Sequence, residues 1–179
     1  MKANYRNVAG GLVLIGVFVT AFLVSRPGSP QQSDGISWKS FDEGIALAHS
    51  TNKKVLVDVY TDWCSWCKKM DADVYPNAEV VKLLNEHFVA VKLNAESSKP
   101  VTFRGTQFTE ADFAHQLGVT GYPTTLFLDS GSNPITELPG YSPADQFAKV
   151  LEYIGMDHYK RTTFQEFIGK YHSQPKNDD

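Results

Sequence analysis

Cysteine is nearly absent from this 179-residue chain: there are two, and they sit together as Cys64-Ser65-Trp66-Cys67. A bridge between residues so close closes a very short loop and restrains the unfolded chain little, so a disulfide-stapled scaffold is excluded. There is no second cysteine pair, and a structural zinc site needs four ligands. The histidines offer no substitute: His49, His87 and His115 are scattered over separate expected helices and read as surface positions. No histidine follows the second cysteine, where Lys68 stands, which removes covalent haem attachment. Charge of one sign is also lacking. The 17 Lys and Arg nearly balance the 20 Asp and Glu, and they do not cluster, so nothing resembles the electrostatic footprint of a nucleic-acid-binding protein. No flavin or nicotinamide fingerprint occurs, so neither a cofactor nor a metal is expected. Internal repeats are missing as well. What remains, 42% hydrophobic and 21% charged residues, is the composition of a globular domain of ordinary size with appendages.

One long apolar run is present. Lys2 and Arg6 precede Val8 to Val24, and Arg26-Pro27-Gly28 ends the run abruptly. Its length falls within the roughly 17–25 residues that cross a hydrocarbon core. A basic start and an apolar middle also describe a secretory signal, but small residues at A-x-A spacing are lacking. Leu23 and Ser25 are the best pair, with Arg26-Pro27 unfavourable just after them. We therefore expect a signal-anchor over residues 1–26, with a cleaved signal as the alternative. Either way the rest of the chain is exported, Lys2 and Arg6 staying inside. The expected location is the inner membrane of a bacterial-type cell, single-pass through residues 8–24, with the folded domain facing the periplasm. Residues 27–35 (PGSPQQSDG) read as a flexible linker, 36–172 as the folded domain and 173–179 as a polar tail.

Within the domain, Ser40-Phe41-Asp42-Glu43 is a capping box that opens a helix to about Ser50. Val55 to Tyr60 is a β-branched run typical of a buried strand, with Asp58 as its one anomaly. The cysteine motif comes directly after it and leads into a helix that must stop before Pro76. Asn77 caps another helix, Phe88 to Leu93 reads as a second strand, and 94–108 shows no period and is taken as a loop. Thr109 caps a short helix, Thr124 to Leu128 forms a third strand, and Ile135 to Leu138 returns as an antiparallel hairpin partner. Ser142-Pro143 opens a helix closed by Gly155, and a last helix spans about Thr163 to Tyr171. The order predicts an α/β fold: a central mixed β-sheet covered by helices on both faces.

The cysteine spacing carries chemistry. At a strand-to-helix junction Cys64 meets the unpaired N–H groups of the first turn, and the helix dipole favours its thiolate. Cys67, one turn on, can attack a mixed disulfide formed at Cys64.

These residues carry a resemblance. Val55-Leu56-Val57-Asp58 in register with Trp63-Cys64-x-x-Cys67-Lys68 resembles the strand and active-site loop of the thioredoxin superfamily. Val119-Thr120-Gly121-Tyr122-Pro123-Thr124 is similar to its cis-proline loop, and Val91-Lys92-Leu93-Asn94 to the strand whose lysine lies near the buried aspartate. Trp63-Cys64-x-x-Cys67-Lys68-Lys69-Met70 with Glu79 to Asn85 is most like exported thioredoxin-like proteins, among them the carboxyl-terminal domain of DsbD-type membrane reductases. The likeness covers most of Ile36 to Ile154. It implies the thioredoxin fold, Cys64 as nucleophile, Cys67 as resolving thiol and Asp58 as a proton shuttle for Cys67. It further implies that Lys92 tunes Asp58, and that Tyr122 and cis-Pro123 face substrate beside an apolar rim of Trp63 and Trp66. The chain departs from the cytoplasmic pattern in its Ser65-Trp66 dipeptide, in the long 94–108 connection and in the helix after Gly155.

The expected activity is that of a monomeric thiol:disulfide oxidoreductase, a reductase of exported protein disulfides fed by a membrane electron donor. Asp58 beneath the motif favours electron donation, and no histidine follows the first cysteine to favour oxidation. The alternatives are an oxidase or isomerase, or a thioredoxin-fold binding module whose thiols do not turn over.

Overall fold

Period-two alternation of large apolar residues organises the domain. The computed structural model describes residues 35–173; the expected anchor, the linker up to residue 34 and the tail from residue 174 lie outside them. In chain order the elements are α1 (Phe41–Thr51), β1 (Lys54–Tyr60), α2 (Ser65–Lys69), α3 (Ala78–His87), β2 (Phe88–Asn94), β3 (Pro100–Phe103) and β4 (Thr106–Thr109). They continue with α4 (Glu110–Gln116), β5 (Thr124–Leu128), β6 (Pro134–Pro139), α5 (Ala144–Gly155) and α6 (Phe164–Ser173). Among the described residues no helix is long and apolar enough to cross a membrane.

The main sheet has the order β2-β1-β5-β6, with β1 parallel to β2 and the two later pairings antiparallel. Successive strand residues face opposite ways. On β1, Val55, Val57 and Val59 therefore enter a core shared with Phe41 of α1 and Phe113 of α4. Leu56 enters the other core, with Met70, Val74, Leu84, Phe127 and Phe147. Asp58 shares the face of Leu56, which turns a carboxylate towards an apolar layer. In register it lies beside Lys92 of β2 and Thr125 of β5, a polar row across three strands.

The expected helix boundaries hold where capping residues set them. Ser40 and Glu43 form the reciprocal capping box of α1, the Asn77 side chain accepts from Glu79 and Val80 at the start of α3, and Thr109 accepts from Asp112. The chain ends its active-site helix before Pro76, but by a π turn over Met70–Val74 in which the Tyr75 N–H donates to Met70 O at 3.0 Å.

Two expectations need correction. Residues 94–108 are not a plain loop, because they contain the antiparallel hairpin β3–β4. Val101, Phe103 and Phe108 pack on the Phe41 and Phe113 side, while Arg104 and Gly105 both take positive φ at the tip, as a tight two-residue hairpin turn requires. Two strands of four residues are too short to give a visible period. His87 is not on the surface either: it is half-buried against Gly155, where an added Cβ would lie 3.0 Å from the imidazole. His49 and His115 are exposed.

α1 approaches the sheet through Gly44. A Cβ there would come within 2.2 Å of the Val91 side chain, which is fully buried. Gly44→Ala is expected to destabilise the domain by about 1–3 kcal/mol through overpacking, read from the denaturant midpoint. An unchanged midpoint would show that α1 shifts on the sheet without penalty.

Candidate active site

The loop leaving β1 makes Cys64 the N-cap residue of α2, with extended backbone angles (φ −67°, ψ 105°). Its Sγ accepts the Cys67 N–H at 3.0 Å, so one of the first-turn amides of α2 is directed at the sulfur. The two cysteines are joined as a disulfide. Cys64 is 4% exposed and Cys67 2%, whereas Trp63 is 65% and Trp66 56% exposed, so the accessible surface at the motif is aromatic rather than sulfur.

Each tryptophan has a tertiary partner. Trp63 Nε1 donates to Glu96 Oε1 at 2.8 Å, and its ring meets Tyr122 edge-on at 6.0 Å. Trp66 lies 5.3 Å from Tyr141, over whose ring Lys69 Nζ sits at 5.7 Å. The Tyr122–Pro123 peptide is cis. Gly140, in a positive-φ conformation, donates its N–H to Pro123 O at 2.7 Å, which ties the proline loop to the segment bearing Tyr141.

Asp58 is 1% exposed. Lys92 Nζ lies 2.5 Å from Asp58 Oδ2 and 2.5 Å from Asp71 Oδ1, bridging the buried carboxylate and an exposed one. Trp38, Tyr75 and Tyr60 surround the ammonium, with ring centroids at 4.7, 5.0 and 5.2 Å. Burial pushes the Asp58 carboxyl above the ordinary carboxylate range; Lys92 opposes that rise, and Asp71 adds to it. For Lys92, burial acts to lower the pKa, but Asp58 and Asp71 together carry it above the usual lysine value. Burial and the nearby Asp58 raise the Tyr75 hydroxyl well above a free phenol.

Of the residues singled out in the sequence, Asp58 and Lys92 pair across β1 and β2, Trp63 meets Tyr122 beside cis-Pro123, and Cys64 caps the helix that holds Trp66 and Cys67. Sequence reasoning missed Asp71, Tyr75, Glu96 and Tyr141. Asp71 lies in the π turn and Tyr75 closes it, a feature no local pattern marks, and Glu96 and Tyr141 meet the tryptophans only through tertiary folding. Among the described residues no three His, Cys, Asp or Glu side chains group as metal ligands.

A helix-capping cysteine pair after the central strand, a buried carboxylate in that strand and a cis-proline loop define a thioredoxin-fold thiol–disulfide protein. Residues 41–155 match the thioredoxin-like domain family, and the chain belongs to it. It is 30% identical over 134 residues to the thiol:disulfide interchange protein DsbD of Yersinia enterocolitica, covering 70% of this chain and 22% of that protein. It is 31% identical over 110 residues to protein disulfide isomerase-like 2-2 of Oryza sativa subsp. japonica, covering 62% of this chain and 26% of that protein. The chain thus spans about a quarter of the length of these curated relatives. Among solved structures, a thioredoxin-fold protein from Helicobacter pylori superposes with a TM-score of 0.58 at 27% identity, covering 79% of this chain and 89% of that one. Together these establish a thioredoxin-like member of the thiol:disulfide oxidoreductase group with a C-x-x-C pair.

Proposed function

We propose that this protein is a protein-disulfide reductase, anchored by residues 8–24, whose domain works on exported proteins on the periplasmic side of the inner membrane. The observation that carries the reading is the Cys64 sulfur at the α2 N-cap with the Cys67 N–H directed at it. That amide and the N-terminal end of the helix favour negative charge on Cys64, so in the reduced protein Cys64 is the thiolate and attacks first. Its sulfur bonds to one sulfur of the substrate disulfide, and the other substrate sulfur leaves with the electron pair. Cys67 then gives its proton to the Asp58 carboxylate and attacks Cys64 Sγ. The Cys64–Cys67 bond forms as the bond to the substrate breaks, and the released substrate thiolate takes a proton from solvent. The substrate gains two electrons and the cysteine pair loses two.

Asp58 suits this exchange because burial keeps its proton affinity high, while Lys92, facing the open cleft of Trp38 and Asp71, stabilises the ionised form. Trp63, Trp66, Tyr122 and Pro123 receive the extended substrate segment around the target cysteine. Exposed aromatic surface of this kind suits unfolded or misoxidised chains. The domain acts as a monomer and binds neither nucleic acid nor cofactor, so its electrons come from a membrane donor.

The redox state of Cys64 and Cys67 in living cells tests this, by acid quenching, thiol alkylation and a gel shift. The expected result is a mostly dithiol protein, since only delivered electrons hold the pair reduced in an oxidising compartment. A standing disulfide would overturn the reductase assignment in favour of an oxidase or of a module whose cysteines do not turn over.

A further inference from the structure

Three buried side-chain oxygens meet on the Asp58 face of the sheet. Asp58 and Thr125 are register partners on neighbouring antiparallel strands, so their side chains stand side by side. Tyr75 comes down on them from the π turn after α2, only 4% exposed, its ring edge-to-face with Trp38 at 4.8 Å and with Phe147 at 5.9 Å. The Tyr75 hydroxyl interacts with both Asp58 and Thr125. Yet Asp58 Oδ1, Tyr75 OH and Thr125 Oγ1 all stand without a closed hydrogen bond, while Lys92 occupies only the other carboxylate oxygen. A buried donor next to a buried free acceptor is too costly to be left unmade throughout a catalytic cycle. The π turn matters here: one extra residue in the helix rotates the chain beyond it, and a regular helix would not deliver position 75 to the same place.

We propose that Tyr75 is a positioning residue of the redox site: its hydroxyl donates to Asp58 Oδ1 and accepts from Thr125 Oγ1, fixing the carboxylate in its ionised form when it takes the proton of Cys67. This rests on the role of Asp58 proposed above. The chain Thr125 O–H to Tyr75 O–H to Asp58 is polarised in one direction, each bond strengthening the next. Lys92 holds Oδ2 and is shared with solvent-facing Asp71. Tyr75 holds Oδ1 from inside the apolar layer. The carboxylate is thereby gripped on both oxygens by groups of different exposure, a half-buried ammonium and a buried hydroxyl.

The test uses the reduced full chain and 5,5′-dithiobis(2-nitrobenzoate), whose coloured thiolate is released twice. The first release reports attack by Cys64, and the second reports resolution by Cys67. In Tyr75→Phe, which keeps the ring and its packing, the pH midpoint of the second phase is expected to move up by about one unit, because the ionised carboxylate has lost a donor. The first phase stays as in the parent. Thr125→Val moves the second-phase midpoint in the same direction by less, and it carries the test if Tyr75→Phe does not fold. Asp58→Asn is the reference and removes that pH dependence. An unchanged second-phase midpoint in the Tyr75 and Thr125 variants, with the reference behaving as stated, overturns the role of Tyr75 and leaves the shuttle intact. Both phases slowed with the midpoint unmoved means a packing role only, which also overturns it. If Asp58→Asn keeps the full pH dependence, the shuttle and the Tyr75 role fall together.

Discussion

If the protein is the proposed reductase, Cys64→Ser is expected to lower the rate of disulfide reduction by at least about 10³-fold while the domain keeps its fold. The position makes this a clean experiment. Serine is among the best N-cap residues, so its hydroxyl can accept the Cys67 N–H that Cys64 Sγ accepts now, and the start of α2 is preserved. What disappears is the nucleophile, since a hydroxyl stays protonated where a thiol at a helix N-terminus ionises. Cys67→Ser gives a different result: attack still occurs, but no thiol resolves the product, and a mixed disulfide with substrate accumulates on Cys64. Non-reducing gels of the two variants separate these outcomes. Full activity in Cys64→Ser would mean that the cysteines are incidental and that the aromatic rim of Trp63 and Trp66 is a binding surface in its own right.

Asp58→Asn has two effects of opposite sign. The parent carboxyl has a pKa raised in the folded state, chiefly by burial. The folded protein therefore holds this proton at pH values where the unfolded chain has released it. The associated stability is complete below the unfolded value of about 4 and is lost as pH rises through the higher folded value. Above that, the parent carries a buried charge that the amide variant lacks. Lys92 is not stranded by the change, because Asp71 remains 2.5 Å from its ammonium. Asp58→Asn is accordingly expected to be more stable than the parent by about 1–3 kcal/mol near pH 8, with the difference shrinking towards pH 4. With Asp58 as the proposed proton acceptor, disulfide exchange is expected to fall by about 10²-fold. Denaturant melts at the two pH values check the first effect, and turnover at neutral pH checks the second. A variant less stable than the parent at every pH would show that the Asp58–Lys92 pair stabilises the fold. A stabilising substitution that removes activity is the signature of a group kept for chemistry rather than for folding.

Much of the domain was legible because the signals were local. Ser40, Asn77 and Thr109 mark helix starts by side-chain bonds to amides two or three residues away, so a linear reading finds them. The Val55–Tyr60 run sets a buried strand, and the spacing of Cys64 and Cys67 puts the two sulfurs one helical turn apart, close enough to form a disulfide. The β3–β4 hairpin escaped because each strand is four residues long, and its stability comes from Phe103 and Phe108 meeting Phe113. The π turn escaped because nothing in Met70 to Val74 distinguishes it from an ordinary helix end.

Residue types and short-range spacing alone determined the α/β class, the redox pair at a strand-to-helix junction, and an acidic residue in the strand before it. Tertiary structure alone decided which groups surround that acid. Lys92 and Thr125 reach Asp58 through strand register, Asp71 and Tyr75 through the π turn, and Glu96 and Tyr141 reach the two tryptophans across distant loops. The physical reason is range. Capping, turn chemistry and apolar period act between residues a few positions apart, whereas burial and charge pairing depend on distances that exist only after the strands have paired and the helices have packed.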